Sequence, residues 1–100
     1  MKIPVVFYDL GVDGPITPSE ALPPLPQIPR GALVVLTGRA PIWRYGLAFH
    51  ELHGSPAGAL ATWDPRLGAV IIATHSPNFS EGSVLDLEAE QTELDVIPEK

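Results

Sequence analysis

One hundred residues make one small domain, long enough to bury a single modest core and too short for a second. A hydrophobic content of 45% excludes a disordered chain, and the absence of cysteine removes disulfides, thiolate metal sites and cysteine nucleophiles together. The net charge of -6 opposes a long nucleic acid, yet four arginines from Arg30 to Arg66 face only Glu51 and Asp64 there, whereas seven acids and one lysine lie from Glu81 to Lys100. A small anion therefore suits the middle of the chain.

Ile3 to Leu10, rich in β-branched and aromatic residues, reads as a first strand in which Pro4 marks an edge or a strand start. Gly11 to Gly14 closes it as a turn. Six prolines between Pro15 and Pro29 fix φ and remove amide donors, so this stretch is an extended surface connector, with room for a short turn at Ser19 to Leu22. A PxxP ligand reading of Pro23 to Pro26 is the weaker alternative. Ala32 to Leu36 reads as a buried strand ending in Thr37-Gly38.

Pro41 suits the first turn of a helix that continues to His53, with Ile42, Tyr45, Phe49 and Leu52 at helical spacing and Gly54 as its stop. Free amides at that helix start, with Arg39 beside them, make an anion site from backbone physics alone. Ala57 to Trp63 and Gly68 to Thr74 are joined by Asp64-Pro-Arg-Leu67, the chemistry of a type I turn, and form a hairpin. Val84 to Glu90 alternates apolar with acidic residues and reads as a last strand. The result is one α+β domain over residues 1–100, with a mostly antiparallel or mixed sheet and one main helix. One helix covers one sheet face, so the other is expected to be covered by a second copy in a homodimer. The start of the chain lacks a long apolar segment, and Gly68 to Ala73 is far below the roughly 20 residues that span a bilayer, so a cytoplasmic protein with no membrane partner is expected.

Reactive residue types crowd into Thr37 to Ser76. His50 and His53, three apart, share a helix face and suit one metal ion or one phosphate; a solvated pair at a helix end is the plainer reading. Asp64 and Arg66 flank a tight turn, where Asp ordinarily binds its own backbone and Arg is solvated, but imidazole with carboxylate suits Mn²⁺ or Mg²⁺ and arginine forks onto phosphate. His75-Ser76, at a strand end, offers a base or a phosphate donor, or a core histidine. Trp63 reads as core; Trp43, beside Gly38-Arg39, is open between core and stacking on a base.

Gly38-Arg-Ala-Pro-Ile-Trp43, the helix ending His50-Glu-Leu-His53, Asp64-Pro-Arg-Leu-Gly-Ala-Val70 and His75-Ser76 occur in the order found in the small type III CRISPR-associated ring nucleases of the CRISPR-associated Rossmann fold group, which this chain resembles over its last two thirds. The resemblance implies a Rossmann-like dimeric domain that binds the second messenger cyclic tetra-adenylate and cleaves it with Mn²⁺, or with Mg²⁺ in its place, switching off the antiviral response. It implies a ligand-bridged dimer of dimers, one dimer gripping the ring while the facing dimer cuts it. Carried over by motif, Gly38, Arg39, Trp43 and Ser76 grip the ligand, and His75 matches a further family histidine. His53, Asp64 and Arg66 are catalytic, with His53 and Asp64 as metal ligands; His50 stands as the alternative to His53. A sensor that binds the ring without cutting it, and an exonuclease trimming adenosines from RNA 3′ ends, are the competing functions. A helix from Pro41 to His53 is about 20 Å long, so its two ends do not serve one phosphate within one chain.

Overall fold

In the computed structural model, which describes residues 1–96, a single mixed sheet carries the molecule. Its strands are β1 (Lys2–Asp9), β2 (Leu33–Thr37), β3 (Ala59–Asp64), β4 (Gly68–Thr74), β5 (Val84–Leu85) and β6 (Glu93–Asp95), in spatial order β5-β4-β3-β2-β1-β6. β1, β2 and β3 run parallel, with Val5 opposite Leu33 and Leu33 opposite Ala59; the other pairings are antiparallel. One helix, α1 (Ile42–Leu52), crosses from β2 to β3, so β2, the Gly38-Arg39 turn, α1 and β3 form the strand-helix-strand unit expected of a Rossmann-like sheet.

The alternation of the strands sorts the core by parity. Val34, Leu36 and Leu60 join Tyr8 and Leu10 on the helix side, with Ala48 and Leu52 of α1. The proline-rich connector lies on that side too: Leu22 and Ile28 pack into the same cluster, and the Tyr8 hydroxyl donates to the Pro23 carbonyl. It forms no helix or strand, as its prolines dictate, apart from a turn at Pro18-Ser19. On the opposite face Ile3, Val5, Leu33, Val35, Ala61 and Ile71 are covered by Phe79 and Leu87.

Four expectations change. The helix-free face, expected to need a second copy, is covered by the chain's own segment after β4. Val84 to Glu90 is a strand only at Val84–Leu85: Glu90 adopts φ 63 and Gln91 N donates to the Glu88 carbonyl, so the chain turns there and returns as β6 beside β1. Alternation alone does not separate a strand from an extended segment whose apolar residues press onto a sheet. The buried stripe of α1 is Arg44, Ala48 and Leu52, while Ile42 is 88% exposed. Small Ala48 permits close approach to the sheet, whereas Ile42 belongs to neither core cluster. Pro4 marks neither an edge strand nor a strand start: it is the third residue of β1, opposite Glu93 of β6, and the chain accommodates it because the ladder between β1 and β2 begins only at Val5.

Candidate functional site

The parallel strands give the sheet two chemically distinct edges. At their C-terminal edge, β1 and β2 run out into a crossed pair of loops: Leu10 N donates to the Thr37 carbonyl at 2.8 Å and Val12 N to the Arg39 carbonyl at 3.0 Å. Gly38 sits where they touch, at φ +105, and a Cβ there would collide with the Asp9 carboxylate and the Gly11 backbone. Only glycine meets both requirements. Asp9 accepts from Gly11 N at 2.8 Å, and Tyr45 donates to the Gly38 carbonyl at 2.7 Å. Burial and then the Asp9 charge raise the Tyr45 phenol above its ordinary pKa, so it stays a donor at neutral pH.

Beside this crossing α1 begins at Ile42, and Pro41, its extended N-cap residue, provides no side-chain cap, leaving the first amides available. An open cleft of about 470 Å³ is lined there by Val12, Asp13, Gly14, Pro15, Arg39, Ala40 and Pro41. Arg39 is exposed at the cleft, and Trp43 is half-buried in the first turn of α1. These groups can hold an anion against helix amides and a guanidinium.

The hairpin turn shares the C-terminal edge. Asp64 Oδ1 accepts from Arg66 N at 2.8 Å and Leu67 N at 3.0 Å, which hold its carboxyl below the usual range. This is the self-bonded turn aspartate of the plainer reading; Asp64 is half-buried and Arg66 beside it is exposed. Trp63 is half-buried with its ring 5.9 Å from Phe7, edge to face, and belongs to the core periphery.

The histidines lie at the other edge. His53 caps the C-terminus of α1, and His75 follows β4, its amide bound to the Gly58 carbonyl at 2.8 Å. Their rings are 6.3 Å apart beside a narrow pocket also lined by Leu52, Ala57, Gly58 and Ala73. All three histidines are exposed, and His50 stands one turn before His53. Ser76 is half-buried in the adjoining turn, where Thr74 Oγ1 and Asn78 N take up its polar groups.

The sequence-derived groups thus regroup within one chain. Gly38, Arg39 and Trp43 share an edge with Asp64 and Arg66, whereas His53 and His50 share the other with His75 and Ser76. The five steps of β3 from Ala59 to Asp64 separate the edges by roughly 16 Å. His53 and Asp64 do not meet, and among the described residues no group of three His, Asp or Glu side chains converges to hold a metal ion. The side chains of a single chain therefore do not fit a resident Mn²⁺. No helix among the described residues is long and apolar enough to cross a membrane. Two residues of the built edge were not singled out from sequence: Asp9, readable only as a strand-end acid, and Arg44, whose burial contradicts its type.

Over 56 residues the chain is 46% identical to an uncharacterized protein of Aquifex aeolicus (strain VF5), an alignment covering 55% of this chain and 49% of the relative. The chain thus spans about half the length of that curated relative. A family model described as CRISPR-associated protein (Cas_csx3) matches residues 10–86, which take in both edges, α1 and the hairpin. With more than three quarters of its length matched, the chain belongs to the CRISPR-associated Cas_csx3 family.

Proposed function

We propose that this protein is a ring nuclease that grips cyclic tetra-adenylate and opens it, ending a type III CRISPR response. The observation that carries this reading is the prebuilt anion cleft at Gly38-Arg39 and the uncapped start of α1, set apart from the histidine pair by the length of β3. A ligand with several phosphates in a closed ring can engage gripping and cutting edges contributed by different copies, and a separation of roughly 16 Å calls for such an assembly. Self-association is in keeping with the exposed Ile42, Leu47, Ile72 and Val84.

Cleavage needs attack of a ribose 2′-oxygen on the adjoining phosphorus. The 2′ proton passes to a base, a 2′,3′-cyclic phosphate forms, and the 5′-oxygen leaves with a proton from an acid. His53, with His50 as its alternate and His75 beside it, is placed for proton transfer. Arg66 is the group to steady the developing charge, and Asp64 orients the turn that presents it. If Mn²⁺ or Mg²⁺ takes part, His53 and Asp64 would hold it only in an assembly where they come from different chains, and it would supply positive charge to the phosphate. Incubation of the purified protein with cyclic tetra-adenylate, with and without Mn²⁺ and with Asp64→Ala as control, tests the reading. Linear product from wild type and none from the variant is expected; no product, or an equally active variant, sinks it.

The failure of His53 and Asp64 to meet in one chain favours one second reading: a binder that sequesters the ring intact. Tight binding with no turnover in any divalent cation decides for it.

A further inference from the structure

Arg44 is the one charged side chain buried among the described residues, at 4% exposure, and nothing in the sequence motifs calls for it. Its Nε donates to the Leu10 carbonyl at 3.1 Å, and its Nη1 is buried with no partner. No described carboxylate reaches that nitrogen. A guanidinium withdrawn from water without a counter-charge is costly, and folds retain one where something else supplies the compensation.

Its position points to what that is. Arg44, the third residue of α1, does not line the 470 Å³ cleft itself; its guanidinium is held at the Leu10 carbonyl, at the base of the loop that forms the cleft wall. The carbonyl it holds lies two residues before Val12, whose amide bonds Arg39 to form the cleft wall. The charge balance agrees. Asp13 lines the cleft and Asp9 abuts Gly38, so beside the cleft Arg39 alone is outnumbered by two carboxylates and holds an anion only weakly without a further positive charge. Two guanidiniums against two carboxylates bring it to neutrality, and the uncapped helix start then tips it toward anions.

We propose that Arg44 is the second, buried positive charge of this anion site and a positioning residue for its wall, acting through the Leu10 carbonyl. The proposal rests on reading the Gly38-Arg39 edge as the gripping surface. The full chain is compared with Arg44→Gln, which keeps a donor for Leu10 but no charge, and Arg44→Lys, which keeps the charge. Binding of cyclic tetra-adenylate is measured calorimetrically without divalent cations, and Tm is measured with and without inorganic pyrophosphate. Arg44→Gln is expected to keep or raise the ligand-free Tm, to weaken ring binding at least about tenfold and to lose the pyrophosphate-induced shift, while Arg44→Lys binds within about fivefold of wild type. A Gln variant that binds both probes as wild type does overturns the proposal. So does wild type unmoved by either probe. If pyrophosphate binds and the ring does not, the ring-nuclease reading fails and the assignment of Arg44 stands. Should Arg44→Gln not fold, Arg44→Lys carries the test: binding within fivefold upholds the proposal, and lost binding in that folded, charged variant overturns it.

Discussion

The two ends of β3 differ in how their functional groups are held. At the Asp64 end backbone hydrogen bonds cross between loops, Gly38 admits no other residue, and Tyr45 and Arg44 fasten α1 from beneath. At the His53 end the imidazoles stand exposed, hydrogen-bonded to nothing among the described residues, 6.3 Å from each other. A grip must be rigid before its ligand arrives, because ordering it on binding would subtract from affinity. On the proposed reading the histidines transfer protons, and such groups tolerate freedom until a second molecule completes their surroundings.

The largest expected effect comes from breaking the loose end alone. His53→Ala should lower turnover of cyclic tetra-adenylate by roughly 10²- to 10⁴-fold while stability stays within about 0.5 kcal/mol, since an exposed side chain is removed. Single-turnover rates and urea denaturation check both halves, and unchanged turnover would transfer the role to His50.

Gly38→Ala strikes the rigid end. Strain at φ +105 and the collision with Asp9 predict a loss of about 1 to 3 kcal/mol in urea denaturation, with ligand binding weakened in the molecules that remain folded. The opposite pattern, full stability with lost binding, would mean that the loops rearrange without cost. A smaller loss, about 0.5 to 1.5 kcal/mol, is expected for Tyr45→Phe, which leaves the Gly38 carbonyl without its donor.

The smallest effect concerns pH. The Asp64 pKa is lowered by the Arg66 and Leu67 amides, so its contribution to stability is complete above the ordinary aspartate pKa and is lost as pH falls through the folded value. Its contact with solvent at the hairpin turn keeps that contribution slight. An NMR titration of the Asp64 carboxyl should find it below ordinary aspartate, and an ordinary value would show that the turn opens in solution.

Local signals were legible wherever one residue decides one geometry. Asp64-Pro65 specified the hairpin turn, Pro41 the start of α1, Gly38 the turn before it, and the prolines the lack of regular structure from Pro15 to Pro29. What did not show was which face of an element meets which neighbour. Ile42, Tyr45 and Phe49 form the better apolar stripe, yet Arg44 takes the buried position because the Leu10 carbonyl lies beneath it. Glu93–Asp95, acidic and three residues long, carries no strand pattern and pairs because β1 offers an open ladder. For the candidate site, the motifs singled out residues to follow, but their division between two edges depends on β3 lying parallel to β2, a long-range fact that no local spacing contains.

The proline-rich connector has a consequence for how this sequence can vary. Two parallel neighbours ordinarily require a crossover helix whose length is fixed by its packing. Here a strap pinned at Leu22, Pro23 and Ile28 makes the crossing from β1 to β2, while Pro24 and Leu25 between those pins stay exposed. Residues inserted at that point would lengthen a loop at a cost that grows only with the logarithm of its length. The strap is thus the place where this small domain can take on added chain, even a fused module, without disturbing either edge of the sheet.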